Sequence, residues 1–167
     1  SVQFPYNHTL ALALFVVATI TDYLDGQIAR RCNLITDFGK LMDPLADKIL
    51  TAAAFICLIP YHALPAWVVI VIIAREFLIT GLRLLAGAKG VVLPAEKLGK
   101  HKTAWQMGTI LFFLLLLALG EWNAGRFELT SSPWNYVGTI MVIVTTVLTV
   151  YSGAGYFWKN RALIETA

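Results

Sequence analysis

The stretch HTLALALFVVATITDYLDGQIAR, His8–Arg30, decides the fold. It is apolar from Leu10 to Ile20 apart from Thr19, and it closes on two carboxylates, Asp22 and Asp25. At 1.5 Å of rise per residue, Thr9 to Asp22 spans ~20 Å of a hydrocarbon core about 30 Å thick. The stretch therefore reads as a membrane helix that carries acid at one end. Asp22 and Asp25 stand at i, i+3 and share a helix face. A second apolar run, Asp43–Ile59, begins with Asp43 and Asp47 at i, i+4, so these two pairs of carboxylates lie within twenty-six residues of each other, where two apolar helices meet water. Ionised carboxylates there are costly unless a cation pairs with them. Grouped hard oxygen ligands suit Mg2+ or Mn2+, and such ions clamp phosphates.

The rest of the composition agrees with a membrane protein. The 167 residues are 58% hydrophobic, with a mean hydropathy of +0.71, far above a soluble average. Three further apolar stretches, Pro65–Leu85, Thr103–Gly120 and Trp134–Trp158, bring the total to five. Each approaches the ~20 residues that cross a bilayer as a helix. Residues 1–167 read as one all-α, polytopic membrane helix bundle. Cys32 and Cys57 fall on a turn and inside an apolar helix, so neither a disulfide nor a Cys/His metal site is expected. The pI near 9.0 comes without a basic stripe interleaved with aromatics, which argues against a nucleic-acid partner.

Loop charge sets the orientation. Residues 60–64 carry no Lys or Arg, and residues 121–133 carry only Arg126. The other connections hold Arg30, Arg31, Lys40, Lys48, Lys89, Lys97, Lys100 and Lys102, and the tail adds Lys159 and Arg161. The positive-inside rule puts this second set, and with it the Asp-rich turn, on the cytosolic side. Five helices then start outside, so a sixth, preceding membrane helix is expected upstream; a natural outside amino terminus is the alternative. Tyr6, Tyr61, Trp67, Trp122, Trp134 and Trp158 lie near the ends of the stretches, as an aromatic belt requires.

The carboxylates can be placed more closely. Asp43-Pro44 reads as a helix start, with Asp as N-cap and Pro at the first position. Thirteen residues separate Asp47 from Pro60, the same interval as Thr9 to Asp22. Antiparallel packing then sets Asp22 beside Asp47 and Asp25 beside Asp43. Four like charges so close need compensation, which two divalent cations would supply. Gly26 leaves room for a ligand to approach the backbone, Ala29 keeps the same face low, and Arg30 suits a phosphate. Gly39 falls on the connecting turn.

The eight positions spell D-x2-D-G-x2-A-R-x8-G-x3-D-x3-D, which resembles the signature of the CDP-alcohol phosphatidyltransferase family without a departure. The resemblance implies displacement of CMP from a CDP-linked substrate by a hydroxyl acceptor. It implies that Asp22, Asp25, Asp43 and Asp47 bind two Mg2+ ions (or Mn2+), with Asp47 also the general base. Gly26, Ala29, Arg30 and Gly39 would form the cytidine-nucleotide pocket. It further implies a bacterial cytoplasmic-membrane enzyme, by family habit a homodimer, with its active site on the cytosolic side.

The acceptor is read from the third and fourth stretches. Glu76, Thr80 and Arg83 fall at i, i+4, i+7, with Arg75 at the margin of that stripe. Such a stripe lines a polar cavity, or its Arg and Glu simply pair with each other. Lys100 and Lys102 follow at the start of the fourth stretch, where topology alone also favours lysine. Arg75, Arg83, Lys100 and Lys102 together suit one anionic group beside the metals, hence a phosphorylated acceptor. The run Arg75–Arg83 with Leu98–Thr103 resembles the bacterial phosphatidylglycerophosphate synthase branch, which implies CDP-diacylglycerol as donor and sn-glycerol 3-phosphate as acceptor. The competing expectations are another acceptor within the family (inositol phosphate or phosphatidylglycerol), a divalent-cation transporter, and a non-catalytic scaffold. His8, His62 and His101 have no metal-ligand spacing, and Tyr151–Tyr156 offers small residues for close helix contact.

Overall fold

A computed structural model describes residues 6–31, 37–88, 90–91, 97–123 and 133–161, without the side chains of 23, 29–31, 37–44, 88, 97, 98 and 100. Five α-helices account for nearly all of it: α1 (Asn7–Arg31), α2 (Asp37–Leu58), α3 (Ala66–Ala88), α4 (Lys97–Trp122) and α5 (Pro133–Lys159). At 22 to 27 residues each is roughly 33–40 Å long, enough to cross a bilayer. By length and composition together, α1, α4 and α5 are apolar enough to do so. α2 and α3 have the length but carry more ionisable side chains, including Asp47, Lys48, Arg75, Glu76 and Arg83, which face a shared cavity. The molecule is the all-α membrane bundle that the five apolar stretches predict.

Helix ends depart from the apolar runs at one end of the bundle. α2 starts at Asp37 and α4 at Lys97, each six residues before the hydropathy-based boundary. Hydropathy marks where hydrocarbon begins, whereas a helix can continue into the polar layer. Asp43-Pro44 is therefore not the helix start that the sequence suggested, and Gly39 is not on a connecting turn; both lie inside α2. Pro44 is the eighth helical residue, where its missing N–H leaves the Lys40 carbonyl without the usual i−4 donor.

The connections are locally determined. Between α2 and α3, a 3-10 turn at Ile59–Tyr61 ends on His62 in the left-handed region at φ 54°, its N–H bonded to the Ile59 carbonyl. Leu58 and Leu64, both buried, anchor this turn. α3 ends in a Schellman motif. Gly90, at φ 72°, donates to the Gly87 carbonyl, and Val91 donates to that of Ala86. Glycine is suited to that left-handed position.

α4 packs against α1, α2 and α5. The apolar core includes Phe15, Phe55, Ile72, Ile110, Phe113 and Val142, drawn from all five helices. Polar rungs tie α4 to α5: Thr109 and Thr145 hydroxyls lie 2.9 Å apart, and Gln106 reaches Thr149 at 3.5 Å. Such buried bonds are among the forces that join helices in lipid, where apolar burial offers little. Gly138 lets α5 approach, since a Cβ there would stand 2.9 Å from the Phe113 ring. At the end remote from the aspartates, Glu121 of α4 caps α1, accepting from the His8 and Thr9 N–H groups at 2.8 and 2.9 Å and from the Thr9 hydroxyl at 2.8 Å.

Candidate active site

Facing segments of α2, α3 and α4, with the end of α5, line a cavity of about 860 Å3. α2 contributes Asp47 and Lys48. α3 contributes Arg75, Glu76, Thr80 and Arg83; α4 contributes Lys102 and Thr103; α5 contributes Tyr156. The helical stripe Glu76–Thr80–Arg83 thus lines a cavity as its spacing predicts, and Arg75 joins it.

An ion cluster organises one wall. Glu76 Oε1 accepts from Lys102 Nζ and from Arg75 Nη1 at 3.4 Å. The side chains of Glu76, Arg75 and Lys102 are 18%, 13% and 4% exposed. An unpaired charge at such burial would be strongly unfavourable. Arg75 also donates through Nη2 to the Ser152 hydroxyl of α5 at 3.1 Å. Gly153 makes that approach possible, because a Cβ there would lie 2.8 Å from Arg75 Cγ. Arg75 Nε is buried with no partner among the described residues. Further along the stripe, Arg83 donates from Nε to the Tyr156 hydroxyl at 3.2 Å, and its Cζ lies 5.4 Å from the Tyr156 ring centroid. The Thr80 hydroxyl returns to the Glu76 carbonyl at 2.8 Å.

Asp47 is half-buried and lies within the electrostatic reach of Asp22, Glu76, Lys48 and Lys102. Asp22 of α1 is thus one of the charges that act on Asp47 of α2. Asp25 is exposed on α1 and Gly26 is half-buried beside it. The Asp43 side chain lies outside the described residues, as do those of Ala29, Arg30 and Lys100, and Gly39 is described only as backbone within α2. Among the described residues no three His, Cys, Asp or Glu side chains group as a metal site. Of the four basic residues expected at the acceptor site, Arg75, Arg83 and Lys102 line the one cavity.

The contribution of α5 was not visible in the sequence. Ser152, Gly153 and Tyr156 read there only as part of a run suited to close helix contact; their placement against Arg75 and Arg83 gives them a role. Lys48 had a signal, its adjacency to Asp47, but topology explains a lysine there equally well.

The model of the CDP-alcohol phosphatidyltransferase family matches residues 2–151. The chain belongs to this family. A CDP-alcohol phosphatidyltransferase is an enzyme, which sets aside the transporter and scaffold readings. Among curated relatives, a Bacillus subtilis CDP-diacylglycerol–glycerol-3-phosphate 3-phosphatidyltransferase is 44% identical over 98% of this chain and 79% of its own length. The Rickettsia bellii protein of the same name is 39% identical over 92% of this chain and 80% of its own. A Mycobacterium tuberculosis protein named as a probable phosphatidylglycerophosphate synthase is 37% identical, over 88% of this chain and 64% of that one. In this phosphatidyltransferase the signature and the cavity meet at Asp47, the one of the eight signature positions among the described residues lining the cavity.

Proposed function

We propose that this chain transfers the phosphatidyl group of CDP-diacylglycerol to sn-glycerol 3-phosphate, giving phosphatidylglycerophosphate and CMP. One observation carries the reading: the cavity in which Asp47 shares a wall with Arg75, Arg83 and Lys102. A carboxylate suited to take a hydroxyl proton stands in one space with cations suited to hold a phosphate. The relatives named for this reaction support the choice of acceptor.

The acceptor phosphate is held by the basic wall, including Lys100, whose place two residues before Lys102 puts it at the same helix end. The acceptor hydroxyl oxygen attacks the phosphatidyl phosphorus and forms a new P–O bond. The bond from that phosphorus to the CMP oxygen breaks, and CMP leaves with the electron pair. The hydroxyl proton passes to the Asp47 carboxylate. Asp22, Asp25, Asp43 and Asp47 would hold two Mg2+ ions. Their chemistry fits, since all are hard oxygen donors, and Asp22 and Glu76 both press negative charge on Asp47, which a cation would relieve. When bound, the ions supply charge neutralisation at the pyrophosphate. Gly26, Ala29, Arg30 and Gly39 would take the cytidine nucleotide, and the cavity would open on the cytosolic side.

The test is CMP release by purified protein given CDP-diacylglycerol and Mg2+, with glycerol 3-phosphate, inositol phosphate or no acceptor. Release is expected only with glycerol 3-phosphate, to be abolished by EDTA and restored by Mg2+ or Mn2+. Equal release with inositol phosphate would reject the acceptor, and indifference to EDTA would reject the ions.

A further inference from the structure

We infer that Tyr156 of α5 is a positioning residue for acceptor recognition: it fixes the guanidinium of Arg83 so that the two terminal nitrogens are presented to the acceptor phosphate. The inference rests on the acceptor reading above and assigns a role to a helix outside the family signature.

The cations of the cavity are not equivalent. Arg75 and Lys102 both donate to Glu76, so part of their charge is already answered within the protein. Arg83 has no carboxylate within ion-pair distance among the described residues. Its contact is Tyr156, which takes the Nε donor and lies under the guanidinium. An arginine has five N–H donors, one on Nε and four on the terminal nitrogens. Using Nε to fix the plane leaves those four for bidentate recognition of phosphate.

Arg83 itself is exposed, whereas Tyr156 is 3% exposed. A long exposed side chain loses considerable rotamer freedom when it binds a ligand. A buried aromatic hydroxyl that holds it beforehand reduces that loss, and preorganisation appears as affinity. The ring adds a cation–π contact that does not compete for the terminal donors. A purely structural tyrosine would find a partner in the bundle itself; this one has its hydroxyl on the side chain that faces the cavity.

The experiment is a double-mutant cycle in the full chain, measuring KM and kcat for glycerol 3-phosphate in Tyr156→Phe, Arg83→Ala and the double variant. Phenylalanine keeps the ring and the packing and removes only the hydroxyl, and thermal unfolding in detergent confirms an intact bundle. Tyr156→Phe is expected to raise the glycerol 3-phosphate KM by ~3–10-fold, the range of one lost hydrogen bond, with the change in KM rather than kcat and with the CDP-diacylglycerol KM unmoved. The double variant is expected to match Arg83→Ala alone. A repeated Tyr156→Phe penalty in the Arg83→Ala background would overturn the inference, as would an unchanged KM in Tyr156→Phe beside a raised one in Arg83→Ala. An unchanged KM in Arg83→Ala itself would instead overturn the acceptor reading on which the inference rests.

Discussion

Glu76 is the residue on which the cavity wall depends. It answers both Arg75 and Lys102, and Lys102 is 3% exposed. Glu76→Ala would strand a buried ammonium, a change that costs about 3–5 kcal/mol. A large fall in Tm is expected in detergent, and a paired Glu76→Met, Lys102→Met variant should recover the part owed to Lys102 while remaining inactive, with Arg75 still lacking its carboxylate; if it unfolds as readily as Glu76→Ala, the stranded ammonium is not the cause. Asp47→Asn tests a different property of the same wall. It keeps the shape and removes the base, so turnover should fall by ~10^2–10^4 with Tm retained, and normal CMP release would remove Asp47 from that role. Gly153 makes a third, steric test. Gly153→Ala drives a Cβ to within 2.8 Å of Arg75 Cγ and should displace Arg75 from Ser152, raising the glycerol 3-phosphate KM. Gly155→Ala, two residues on in open space, should leave it unchanged. Equal behaviour of the two variants would dissociate Arg75 from its α5 contact.

At the scale of elements, the α1 cap makes a prediction about stability without chemistry. Glu121 reaches across from α4 to two N–H groups and a hydroxyl at the start of α1, and Trp122 Nε1 adds a 3.0 Å bond to the Thr9 hydroxyl. Glu121→Ala forfeits charge-assisted bonds worth about 1.5–3 kcal/mol in total. Tm should drop measurably while KM and kcat hold, because the cap lies at the end of the bundle away from the cavity; a matching loss of activity would mean that the ends are coupled. The elements also show what sequence could tell. Apolar runs located all five helices because lipid demands a long uninterrupted apolar stretch. Those runs misplaced the starts of α2 and α4 by six residues, because no hydropathy signal marks a helix that continues beyond hydrocarbon. The displaced segments, 37–42 and 97–102, include Gly39, Lys100 and Lys102. The Arg75–Arg83 stripe was legible from the 3.6-residue period alone. The α5 contribution was not, since periodicity reports a face but not the neighbour it meets.

For the whole molecule, the open physical question is which side of the bilayer the cavity faces, and the loop charges answer it in a testable way. α4 ends at Trp122 and α5 begins at Pro133, so Asn123 marks the end of the bundle away from the cavity. Asn160 follows α5 at the cavity end, beside Lys159 and Arg161, and Arg161 stacks on Trp158 at 4.9 Å. Cationic residues are retained on the cytosolic side during insertion, and aromatic residues settle at the interface. Single-cysteine reporters in a background with Cys32 and Cys57 replaced by serine turn this into a direct measurement. Asn123→Cys should react with a membrane-impermeant maleimide on intact cells. Asn160→Cys should react only after permeabilisation. The reverse labelling pattern would place Asp47, Arg83 and Lys102 on the outer side, away from cytosolic supplies of nucleotide-activated lipid headgroups and phosphorylated polyols, and the proposed reaction would lose its substrates. The predicted pattern instead gives the four aspartates, the basic wall and the surplus of positive loop charge one common side, where each serves the same anionic chemistry.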